Sequence, residues 1–66
     1  MSTISCLQRE DMMAEAMEAI RYYRLGDRYA ALFHIRRALG IAAKLKHAGA
    51  RKVFMHLHNR MRRKRP

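Results

Sequence analysis

Nothing forbids helix in this chain before its final position: the only proline is Pro66, and the three glycines, Gly26, Gly40 and Gly49, stand well apart. Proline breaks a helix interior because it removes an amide donor and its ring clashes with the preceding turn. Apolar residues make up 50% of the chain, and they recur at helical intervals instead of in alternating β-branched runs. The expected fold class is therefore all-α. With 66 residues, the chain has room for one small domain. A domain of that size hides only about 60% of the surface its unfolded form exposes, so an isolated monomer is expected to be marginal. A single cysteine, Cys6, rules out an intramolecular disulfide as a staple. Self-association is the remaining remedy, and the expected architecture is an antiparallel hairpin plus a third basic amphipathic helix, completed as a homodimeric helical bundle.

The first helix is predicted to start near Cys6, with Ser5 and Gln8 as a capping box and Glu10 and Asp11 favouring the positive helix end. At about 100° per residue, Met12, Met13, Ala16, Met17, Ala19, Ile20 and Tyr23 fall on one side. Asp11, Glu15, Glu18 and Tyr22 fall on the other, as an acidic ridge. Gly26 and Asp27 then punctuate the chain, since glycine suits the left-handed residue that ends a helix and aspartate caps the next one. A second helix is expected from Arg28 to about Lys46, with Ala31, Leu32, Ile35, Ala38, Leu39, Ala42 and Leu45 facing the core. Its alanines imply close helix contact, and a crowded crossing would account for Gly40 in mid-helix. A break is expected after His47, Ala48 and Gly49. In the third helix, Ala50, Val53, Phe54, Leu57 and Met61 form an apolar arc, with Arg51, Lys52, Asn59, Arg62 and Arg63 outside it. Residues 62–66 are expected to form a flexible basic tail.

The stretch from about Glu15 to Lys44, and within it the run from Glu18 to Leu39, resembles a tetratricopeptide-repeat hairpin. Ala19, Tyr22, Ala31, Ile35 and Ala38 match the small, tyrosine and apolar positions of that repeat, and Gly26-Asp27 matches its turn. Glu15 and Glu18 depart from it where large apolar residues are preferred, as does Ala43 where a proline often closes the unit. Only one unit fits, whereas such repeats normally stack about three. The resemblance implies a helical hairpin that packs on other helices, often to bind protein segments.

Charge points in another direction. The five acids (Glu10, Asp11, Glu15, Glu18, Asp27) all lie in the first 27 residues, and the remaining 39 carry twelve Lys and Arg with four His and no acid. A net charge of +10 so distributed favours polyanions or acidic protein surfaces. The candidate nucleic-acid-binding residues are Arg51, Lys52, Arg60, Arg62, Arg63, Lys64 and Arg65, which can neutralise backbone phosphates. A recognition-helix reading, with Arg28, Arg36 and Arg37 near base edges, is weaker because the second helix is read as too apolar to present a face to DNA.

Catalytic and metal chemistry find little support. His56 and His58 are two apart and diverge on a helix, His34 and His47 are isolated, and no phosphate-cradling glycine loop or nucleophile elbow occurs. The expectation is a non-enzymatic protein without metal or other cofactor and without a small-molecule substrate. A different class of function is a small adaptor or inhibitor, of the kind found among phage and mobile-element accessory proteins, docking on a regulatory protein. Its candidate partner or dimer interface is Met13, Met17, Ile20, Ile35, Leu39, Phe54 and Leu57. Membrane-surface binding by the basic third helix ranks below both, its apolar arc being narrow and free of Trp. No segment reaches the roughly 20 apolar residues of a bilayer span, and no signal-peptide pattern opens the chain, so a cytoplasmic location is expected.

Overall fold

A computed structural model describes residues 3–63. Three helices follow one another: α1 (Thr3–Arg24), α2 (Arg28–Lys44) and α3 (Ala48–Arg62). α1 and α3 both pack on α2 and scarcely touch each other. The result is a slab of 47 × 19 × 12 Å with α2 at its middle. Among the described residues the chain is all-α, with no strand.

Both connections are built alike, and that explains their shortness. After α1, the Gly26 N–H donates to the Tyr23 carbonyl at 3.1 Å and the Asp27 N–H to that of Tyr22 at 2.9 Å. After α2, the Lys46 N–H donates to Ala43 at 3.1 Å and the His47 N–H to Ala42 at 3.0 Å. This paired pattern consumes two orphan carbonyls at each helix end and requires a left-handed residue at the turn. Gly26 supplies it with φ 86°, whereas Lys46 adopts φ 54° without glycine's freedom. Each turn then hands over directly to an N-cap. Asp27 Oδ1 accepts the Ala30 N–H, and His47 Nδ1 accepts the Ala50 N–H, both at 3.1 Å.

The second break therefore falls at Lys46 and His47, and Gly49 lies inside α3. α1 already begins at Thr3, before the expected start near Cys6, and the Ser5 side chain of the expected capping box lies outside the described part. Gly40 also departs from expectation: a Cβ built there would meet nothing within 4 Å, so no helix crowds it. Arg62 belongs to α3 and Arg63 caps it, so the basic segment is helical further than expected; residues 64–66 lie outside the described part.

The core is Met12, Ala16 and Ala19 from α1, Ala31, Ile35, Ala38 and Ala42 from α2, and Phe54 and Met61 from α3. Five buried alanines, Ala16 and Ala19 on α1 and Ala31, Ala38 and Ala42 on α2, let the helices approach closely. That approach decides the roll of α1. Its inward line is Met12, Ala16 and Ala19, flanked by Tyr22 and Tyr23, while Met13, Met17 and Ile20 rotate outward to 54, 66 and 36% exposure. Glu15 and Tyr22, expected on an outer acidic face, instead border α2.

Candidate nucleic-acid interface

The charge asymmetry of the sequence becomes a spatial one because α1 and α3 occupy opposite edges of the slab. All acids but Asp27 sit on α1, and three of the five have partners. Glu18 pairs with Arg21 at 2.8 Å, Asp27 caps α2, and Glu15 reaches across to α2. There its Oε1 lies 2.6 Å from His34 Nδ1, and its Oε2 accepts from Arg37 Nε. His34 is held from the other side by parallel stacking on Tyr22, with ring centroids 5.4 Å apart. Burial pushes the Glu15 carboxyl up, but its hydrogen bonds to His34 and Arg37 and their charges outweigh this and hold it below the ordinary value.

Among the described residues no carboxylate forms an ion pair with α3. Arg51, Lys52, Arg60, Arg62 and Arg63 are all exposed, and none is in an ion pair among the described residues. Lys64 and Arg65 lie outside the described residues. Phe54 and Met61 are buried, with Ala50 and Leu57 packed beside them, and this anchors the helix by one face. At about 100° per residue the five cations fan over the opposite half. Lys52 and Arg63 form its crest, Arg51 and Arg62 the flank beside His58, and Arg60 the far flank. His58 itself turns toward α2, where its Nε2 accepts from Arg36 Nε at 3.4 Å.

The interface residues named from sequence divide into two groups. Ile35 and Phe54 are buried within the single chain, and Leu39 and Leu57 pack against the same core, so these four are spent on holding the three helices together. Their apolar spacing marks burial but cannot tell an intramolecular neighbour from a second chain. Met13, Met17 and Ile20 remain accessible along α1, with Leu25 continuing their line to the turn.

Two features went unread in the sequence. The outer ridge of α2, opposite its core alanines, consists of Tyr29, Phe33, Arg36, Arg37, Gly40 and Lys44, all exposed. This helix is therefore not too apolar to meet a polyanion: it has an apolar side and a cationic, aromatic side. Arg37 ties one flank of the ridge to α1, and Arg36 ties the other to α3, with the Arg37 guanidinium 5.5 Å from the Phe33 ring centre. The four-residue spacing of Tyr29, Phe33 and Arg37 was the available signal. The second feature had none. Where the α1–α2 turn meets the end of α3, Arg24, Arg28 and Arg63 surround an open hollow of about 630 Å³ with Tyr23 and Tyr29.

Among the described residues no group of three or more His, Cys, Asp or Glu is placed to hold a metal ion, and no helix is long and apolar enough to cross a membrane. Three of the four histidines serve locally, as cap (His47), hydrogen-bond partner of Glu15 (His34) and inter-helix acceptor (His58). No protein-family model, curated protein or solved structure matches this chain.

Proposed function

We propose that this is a small non-enzymatic regulatory protein that binds nucleic acid through the backbone, with the outward half of α3 as its principal contact. The observation that carries the reading is the fan of Arg51, Lys52, Arg60, Arg62 and Arg63 on a helix without a carboxylate, while the acids lie on α1 and at the first turn, with Glu15 and Glu18 already paired there. Cations paired with acids are already neutralised, whereas unpaired ones release phosphate counterions on binding and gain affinity from it. Lys64 and Arg65 extend the same series in the sequence. The fan covers too wide an arc for one flat surface, which suits a helix cradled in a groove with phosphates on both walls.

The test is a fluorescence-anisotropy titration of labelled duplex DNA and a structured RNA at about 50 and 200 mM salt. With six or more phosphate contacts, affinity should fall by about a thousandfold or more between these conditions. Replacing Arg60 and Arg62 by Gln should flatten the log–log salt slope by about 2, one per lost contact. An unchanged slope in that variant would sink the assignment of α3.

A second reading is favoured by the exposed line of Met13, Met17 and Ile20. In it, α1 docks on a second copy or on another protein, in keeping with the tetratricopeptide-like hairpin. The two readings use opposite edges of the slab and are compatible.

A further inference from the structure

We propose that Tyr29 and the arginine hollow beside it form a site for single-stranded nucleic acid, in which Arg24, Arg28 and Arg63 hold a phosphate, Tyr29 stacks on a base, and the strand continues over Phe33. This deepens the nucleic-acid reading and rests on it.

Three arginines from three different elements converge on the hollow: one from the end of α1, one from the start of α2 and one from the cap of α3. Among the described residues the only acid lining it is Asp27, whose Oδ1 accepts the Ala30 N–H. None of the three guanidinium groups is in an ion pair among the described residues. Asp27 sets one negative charge against three positive ones, so the hollow stays cationic, and an incoming phosphate relieves the remaining repulsion while accepting several charge-assisted hydrogen bonds.

Tyr29 supplies the second half of the site. It is 90% exposed, so its ring contributes almost nothing to the core. It lines the hollow on one side, and on the other a shallow groove with Leu32, Phe33, Arg36 and Arg37. Hollow and groove share Tyr29, and the proposed track runs from one to the other across its ring. Phe33 follows one helical turn later, about 6 Å along the axis, and is itself 56% exposed. Aromatic platforms interleaved with arginines are how proteins hold unpaired strands, because every base has a face to stack and the phosphates follow the cations. A duplex keeps its bases stacked on each other and cannot use the rings. The track therefore selects for single strands, whereas the α3 fan does not.

Three labelled probes separate these properties at one salt concentration: oligothymidine of about 12 nucleotides, an abasic oligonucleotide of the same length, and a duplex. Oligothymidine should bind more tightly than the abasic strand. Tyr29→Ala should weaken oligothymidine binding about tenfold and leave the abasic strand and the duplex unaffected, the loss expected for one base–aromatic stack. Arg28→Gln should weaken both single strands. Because both side chains are exposed, the variants should keep the wild-type helical circular dichroism. Equal affinity for the thymidine and abasic strands, or no effect of Tyr29→Ala and Phe33→Ala, would overturn the site; if duplex binding then still depended on Arg60 and Arg62, the general reading would survive alone. Absence of binding to all three probes would overturn both. Displacement of oligothymidine by polyglutamate as efficiently as by unlabelled oligothymidine would also refute the site, by making the track a generic anion surface.

Discussion

Lys46 holds the most unfavourable backbone conformation among the described residues, a left-handed φ of 54° at a position where the equivalent turn has Gly26. For a residue with a Cβ that conformation costs roughly 1–2 kcal/mol, partly offset in glycine by the greater entropy of its unfolded state. Lys46→Gly should accordingly stabilise the protein by about 0.5–1 kcal/mol, visible as a rise of several degrees in Tm by circular dichroism. A fall in Tm would show that the Lys46 side chain contributes something the local geometry does not reveal. Glu15 offers a second residue-level test. Its folded-state pKa is depressed, so the stabilisation it brings is complete above the ordinary glutamate range and disappears as pH falls through the lower folded value. Glu15→Gln should cost about 1 kcal/mol near neutral pH, a modest figure because Arg37 is more than half exposed. The same variant should lose that part of the wild-type decline in stability on acidification. Parallel pH profiles for the two proteins would mean that the bridge from α1 to His34 and Arg37 contributes nothing.

At the scale of elements, α3 depends on few contacts. Phe54 and Met61 are its only buried side chains, and α2 is almost its sole neighbour. Phe54→Ala should cost about 3 kcal/mol, a large part of the stability a domain of this size can have. Met55→Ala, at a position 45% exposed on the same helix, should change stability by no more than about 0.5 kcal/mol. Chemical denaturation of the two variants side by side checks the contrast, and equal costs would mean that α3 is not anchored as described. The amphipathic pattern of α3 was legible in the sequence, since its apolar residues recur at helical spacing and its cations fill the remainder. In α1 the same reading gave a face one residue out of register. There Met12, Met13, Ala16, Met17 and Ile20 offer a broad apolar arc, and periodicity alone does not say which edge of it is buried. The α2 alanines decide this, because close approach to small residues favours Ala16 and Ala19 over Met17 and Ile20.

For the molecule as a whole, a slab one helix thick leaves apolar surface on α1 without a neighbour. If Met13, Met17 and Ile20 join two copies, sedimentation equilibrium should report a dimer that Met17→Glu together with Ile20→Glu converts to a monomer without loss of helix. A wild-type protein that is monomeric at high micromolar concentration would assign that line to another partner or to none. Dimerisation along α1 would leave both α3 edges outward, doubling the cationic surface offered to a nucleic acid.

The sequence by itself determined the helical class, the first turn at Gly26 and Asp27, the membership of most of the core, and the separation of acidic from basic halves. Each of these is a local property, set by backbone sterics, by periodicity or by the order of charges along the chain. Only the tertiary structure decided the rest. It put the second turn at Lys46, showed Gly40 to be uncrowded, drew Glu15 inward, and turned Met13, Met17 and Ile20 out. It also assembled Arg24, Arg28 and Arg63 around Tyr29 from three separate elements. Such groupings depend on the roll and the crossing of packed helices, and those are fixed by how alanines, Phe54 and Met61 fill the space between neighbours distant in the chain.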